Sequence, residues 1–147
     1  MHERVTNIYE ASLEERKSPR GEPDWRCLDL SGEHLGVRIE ELPPGSSSSY
    51  HHYHTAEEVH VLVIEGTATL HLGDEEVEIK KGDHVLFRPG EEVAHHIENS
   101  STEPFTYLVF GERKQDDVVI YPQSSIALVK SSQGHRWYSY KAYTPED

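Results

Sequence analysis

Cysteine occurs once in the 147 residues, at Cys27, so no disulfide can form within the chain and no cysteine cluster can hold a metal. Long apolar runs are missing as well. The longest, Val59 to Ile64, is broken by His60 and is far too short to span a bilayer. Positive charge is scarce: 14 Lys and Arg face 27 Asp and Glu, a formal net charge of −13. Such a field repels nucleic-acid backbones and anionic membrane surfaces, so neither is an expected partner. Its ordinary use is to keep a protein in solution. The opening Met-His-Glu-Arg-Val-Thr-Asn has no apolar stretch of a signal peptide, and with a single cysteine this leads us to expect a cytoplasmic protein. No window carries a strong helical period either.

Strand patterns are abundant by contrast, and they concentrate between Leu35 and Tyr121. Leu35, Val37 and Ile39 alternate until Leu42-Pro43-Pro44-Gly45. Val59 to Ile64 ends at Glu65-Gly66, and Thr67 to Leu72 ends at Gly73-Asp74, a strong turn dipeptide. Val77 and Ile79 alternate with charged residues before Lys81-Gly82-Asp83. His84 to Phe87, Val93 to Ile97 and Phe105 to Phe110 follow. About eight short strands at even spacing predict an all-β, antiparallel, closed or two-sheet domain, with sandwich and jelly-roll barrel equally compatible. The chain divides into an irregular arm (residues 1–34, with room for a strand at Trp25 to Leu30), a core (35–111) and an extension (112–147). That extension is expected to add strands at Val118 to Tyr121 and Ile126 to Val129 and to fray at Thr144 to Asp147.

Eleven histidines are present, and four of them fall between Tyr50 and His60. His52 and His54 are two apart, which puts both on one face of a strand about 6.5–7 Å apart. Two imidazoles at that spacing can converge on one ion with bonds of roughly 2.0–2.1 Å, and a third ligand must then come from another strand. Isolated histidines such as His2, His34 and His135 read as solvated. His51, His71, His84 and His96 fit either a supporting or a surface role. Neutral imidazole is the ligating form, so metal binding is expected to weaken below a pH of about 6.5.

Gly45, His52-Tyr53-His54, Glu57-Glu58 and Glu65-Gly66 resemble the first motif of the cupins. Gly82-Asp83, Gly90, His95 and Asn99 resemble the second. The resemblance covers about Leu35 to Gly111, and the wider frame out to Asp117–Pro122 is similar to small bacterial single-domain cupins. It implies a cupin jelly-roll barrel, a double-stranded β-helix with His52 and His54 on one strand and His95 on a facing one. It also implies one divalent transition metal per chain (Fe, Zn, Mn or Ni) held by His52, His54 and His95. The family's fourth ligand is a glutamate. Counting back from Gly66 puts Val59 in that place; counting forward from His54 gives Glu58, if a bulge absorbs one residue. The glycine count favours three histidines.

The function implied is that of a metal-binding cupin, a mononuclear-metal dioxygenase or a sugar or carbonyl isomerase acting on a small molecule. A non-catalytic binding or sensing cupin is the alternative, and a barrel kept mainly for assembly is a third. A homodimer is implied too, with the strands near Val118 and Ile126 as its natural edges.

Overall fold

The computed structural model describes residues 2–141, 143 and 145, and holds thirteen strands and no helix among them. The reading of Thr144–Asp147 as a frayed tail therefore falls outside the described residues, except for Pro145. Three sheets form, and every strand pairing is antiparallel. The largest has the order β1 (Glu14–Arg16), β2 (Trp25–Asp29), β3 (Leu35–Leu42), β10 (Phe105–Glu112), β5 (Val59–Glu65), β8 (His84–Phe87). A three-stranded sheet orders β7 (Glu75–Lys80), β6 (Thr67–Leu72) and β9 (His95–Glu98). A four-stranded sheet orders β13 (Gly134–Ser139), β12 (Ile126–Ser131), β11 (Val118–Tyr121) and β4 (Tyr53–His54). Single bridges His52–His95 and Ser47–Glu98 stitch the loop before β4 to β9, so the two smaller sheets face the large one as a second layer. This is the jelly-roll architecture that the resemblance implied, one of the two that the spacing of turns allowed.

Alternation sets the two faces of the large sheet. Val61 and Val63 of β5, Phe105 and Tyr107 of β10 and Leu42 of β3 point inward, against Ala68, Leu70, Ile79 and Ile97 of the three-stranded sheet. That half is solid core. The other half, between the large sheet and the four-stranded sheet, is hollow. Two glycines permit the close approaches this needs. Gly66 has φ +90° where the chain leaves β5, and a Cβ there would lie 2.6 Å from the Pro104 carbonyl oxygen. At Gly111 a Cβ would lie 2.7 Å from the Glu58 carbonyl oxygen.

β1 and β2 arise from the segment expected to be an irregular arm, and they extend the large sheet beyond β3. The C-terminal strands differ from expectation in one consequential way. β11 lies between β12 and β4, and β12 lies between β11 and β13, so neither is an edge. The unforeseen strand β13 takes the edge that was expected at Val118 and Ile126. Among the described residues no helix is long and apolar enough to cross a membrane.

Candidate metal centre

A cavity of about 580 Å³ opens between the large and four-stranded sheets, and His52, His54 and His95 all line it. The chain brings them together by three separate devices. Short β4 pairs with β11 through His54–Val119, which holds His54 against the wall. His52 and His95 exchange both backbone hydrogen bonds across their bridge, at 3.2 and 2.8 Å. Alternation along β9 then turns His95 inward and His96 outward. Ring centroids stand 5.3 Å apart for His52 and His54 and 4.8 Å apart for His52 and His95. Rings around a single ion with bonds of about 2.1 Å have roughly this separation.

One nitrogen of His52 and one of His54 are already committed. His52 Nδ1 lies 2.7 Å from the Tyr50 carbonyl oxygen and 3.1 Å from Ser49 Oγ. His54 Nδ1 lies 2.8 Å from Asp117 Oδ2, and the His95 ring stacks on Phe87 at 3.5 Å. An Nδ1–H given to a carbonyl or carboxylate fixes the tautomer whose Nε2 carries the lone pair. Among the described residues, no hydrogen-bond partner is found for Nε2 of His52 or His54. Burial pushes the His52 imidazole down to about 4, and burial with the neighbouring His52 pushes His95 down to about 3. Both rings are thus neutral and free to ligate at neutral pH. The donor set fits a divalent transition metal of the borderline class that takes imidazole.

Asp117 is the residue the sequence reading passed over. Its side chain is fully buried and accepts, besides His54, the backbone N–H groups of Ala56 at 2.9 Å and Glu57 at 3.1 Å. Burial alone would raise its pKa, but these bonds hold the carboxyl well below the usual range. Glu57 lies beside it, with its oxygen 3.6 Å from His54 Nδ1. His54, Glu57 and Asp117 are close enough to form a metal cluster of their own. A cation already stands there: Lys130 Nζ is 2.8 Å from Glu57 and 3.4 Å from Asp117. The cluster, in which one ammonium offsets one of two carboxylates, is a brace that aims His54, and the ligating edge faces the cavity.

Residues 58 and 59 divide between the two faces of the sheet. Val59 lines the cavity, while the Glu58 carboxylate reaches back to His60 Nε2 at 2.9 Å. The register of β5 against β10 does slip by one residue, but at Ile64, between Val63 and Glu65. That is downstream of Glu58 and leaves its direction unchanged. His51, His71 and His96 meet on the outer side of the three-stranded sheet, with His71 and His96 stacked at 4.4 Å.

Cations frame the rest of the hollow. Arg38, Arg113, Lys114 and Lys130 line it against Glu40, Glu57 and Glu112. Arg113 gives its guanidinium to the Gly32 carbonyl at 3.1 Å. Glu40, buried, accepts from Arg38 Nε at 3.0 Å and from the Tyr107 hydroxyl. Burial, and then Glu40 itself, raise the Tyr107 phenol well above its ordinary value, so it stays a donor.

Comparison with known proteins agrees with this fold. Residues 38–111 match the family model described as Cupin domain. An uncharacterized protein of Methanocaldococcus jannaschii is 34% identical over 67 residues, which are 46% of this chain and 51% of that one; the chain thus spans about half of that relative. The structure of a candidate sugar phosphate isomerase from Acidithiobacillus ferrooxidans superposes with a TM-score of 0.82 at 25% identity, covering 97% of each chain. A cupin-superfamily sugar phosphate isomerase of Silicibacter pomeroyi gives 0.75 at 27% identity, over 78% of this chain and 76% of its own.

Proposed function

Since this chain belongs to the cupin domain family, we propose that it is a metal-dependent enzyme that isomerises a small phosphorylated sugar or a chemically similar anion. The observation that carries this reading is the set of three cavity histidines, with Nδ1 of His52 and of His54 already given to a carbonyl and a carboxylate. His52, His54 and His95 would hold one divalent transition metal, with Glu58 outside the set. Such an ion supplies Lewis-acid polarisation of a carbonyl oxygen.

The protein's own groups supply the rest. Arg113 and Lys114 at the mouth suit a phosphate, since a planar guanidinium fits its oxygens two at a time. Aldose–ketose interconversion moves a proton between adjacent carbons, and Glu40 is the buried cavity carboxylate suited to that transfer. The resemblance to sugar phosphate isomerases at 25–27% identity supports the same substrate class.

The test is direct. Protein purified without chelator should carry about one equivalent of transition metal, and should interconvert a phosphorylated aldose and ketose from a substrate panel. Chelator should remove both properties, and metal should restore them. Metal-bound protein that binds phosphorylated sugars without turning any over would point instead to the sensing role.

A further inference from the structure

The segment joining β1 to β2, residues 17–24, is tied to the loop that leads into His52 by one buried arginine. The Arg20 side chain is 10% exposed. Its Nε donates to Glu22 Oε1 at 2.8 Å, and its Nη2 donates to the Ser47 carbonyl at 2.6 Å. Glu22 in turn accepts the Ser47 N–H at 3.1 Å and the Ser47 hydroxyl at 2.9 Å. Every polar group of Ser47 is therefore taken by this pair. The Arg20 guanidinium also lies over two rings, 5.7 Å from the centre of Trp25 and 5.5 Å from that of Tyr50. A cation so placed is attracted to both ring faces.

The loop depends on that support. Ser48 is bonded to Ile97 of β9, at 2.8 Å through its N–H and 3.0 Å through its hydroxyl, and Ser46 accepts from Asn99 at 2.9 Å. The chain meets β9 again at the His52–His95 bridge. Between these anchors, among the described residues, no backbone-to-backbone hydrogen bond holds Ser49, Tyr50 or His51. Yet the Tyr50 carbonyl is the acceptor, at 2.7 Å, that keeps the His52 proton on Nδ1. Tyr50 is held through its side chain instead, by Arg20 over its ring and by a 3.3 Å bond from its hydroxyl to the Pro19 carbonyl.

We propose that Arg20 is a positioning residue for His52: by clamping Ser47 and Tyr50 it fixes the carbonyl that keeps the His52 proton on Nδ1 and leaves Nε2 free to ligate. His54 takes its orientation from Asp117, whereas His52 takes its orientation from the N-terminal arm. Metal affinity is thereby coupled to a segment outside the cavity. That coupling rests on the proposed three-histidine centre, while the position of the His52 proton does not.

Two-bond nitrogen–proton correlation spectra of the metal-free full chain at neutral pH read which ring nitrogen carries the proton. Wild-type His52 should be the Nδ1–H tautomer. Arg20→Met removes the clamp, and Tyr50→Leu removes the ring beneath it while leaving the bonds of Arg20 and Glu22 to Ser47 in place. Both variants should shift His52 toward the Nε2–H form, with His54, fixed by Asp117, unchanged. Zn(II) affinity, measured by competition with a chromophoric chelator, should fall by about 10-fold or more in both, as loss of an outer partner does. Tyr50→Phe keeps the ring and should restore wild-type behaviour in both measurements. An unchanged His52 tautomer in both variants would overturn the proposal. So would His54 shifting together with His52, since that marks a general loosening of the fold. A wild type that binds no Zn(II) would refute the metal centre instead, and the His52 shift would still establish the clamp.

Discussion

His54 gives its Nδ1–H to Asp117 across 63 residues of chain, at 2.8 Å, and this bond decides which nitrogen of His54 faces the cavity. A carboxylate there can only accept, so the proton stays on Nδ1 and the lone pair on Nε2. Asp117→Asn removes that constraint, because an amide can present N–H to the ring and stabilise the other tautomer. We expect metal affinity to fall by about 10- to 100-fold. Competition with a chromophoric chelator measures it, and unchanged affinity would show that His54 is not a ligand.

Residues 58 and 59 provide the second comparison. Glu58 is bonded to His60 on the outer side of the large sheet and Val59 faces the cavity, so Glu58→Gln should leave metal affinity within about twofold. His54→Ala deletes a proposed ligand and should cost more than the 10- to 100-fold of an outer partner. Equal losses in both variants would restore a glutamate to the ligand set.

Proton linkage gives the third. His52 and His95 sit near 4 and 3 in the fold but near 6.5 in the unfolded chain, chiefly because burial disfavours their charged forms. Depressed histidines add stability that is fully present above 6.5 and is lost as pH falls toward 4, since the unfolded state then binds more protons. Each unit below 6.5 removes up to about 1.4 kcal/mol per such histidine. Asp117, also depressed, adds its loss only below about 4. Metal-free protein should therefore keep a constant Tm from pH 8 to about 6.5 and lose stability steadily from there to pH 4.5. A constant Tm across the whole range would mean that these rings are hydrated in the fold. The same burial revises the expectation that metal binding weakens from about 6.5 downward. In the folded chain His52 and His95 stay neutral further down, so their contribution to affinity should hold to about pH 5.

These residues also show what a sequence can and cannot reveal. β3, β5, β6, β8 and β10 were legible because one face of each is buried and the alternation is written into Val, Ile and Leu. β1 is only three residues, Glu-Glu-Arg, and β13 is exposed on both faces, so neither carries a period. His52, His54 and His95 stood out through spacing and resemblance. Asp117 and Lys130 did not, because their partners lie 60 to 73 residues away and only the pairing of β4 with β11 brings them together. An aspartate placed just before an apolar strand, as in Asp117-Val118-Val119-Ile120, was the one local signal available.

Glu40 offers the test that separates chemistry from metal binding. Its carboxylate is buried in the cavity wall, held by Arg38 on one oxygen and by the Tyr107 hydroxyl on the other. Tyr107 is itself fully buried and its phenol stays protonated, so the pair cannot exchange roles at neutral pH. Glu40→Gln keeps the shape and an oxygen to accept from Arg38, turns the other position into an N–H donor toward the Tyr107 oxygen, and loses the ability to take a proton. If Glu40 carries the proton between adjacent carbons, turnover should fall by about 10²- to 10⁴-fold, with metal content unchanged and substrate binding altered little. Tyr107→Phe should have a smaller effect, because it deletes a donor to Glu40 and leaves the base in place. Wild-type turnover in the Glu40→Gln variant would move the proton transfer to another cavity group, with Glu57, freed from Lys130, as the first to examine.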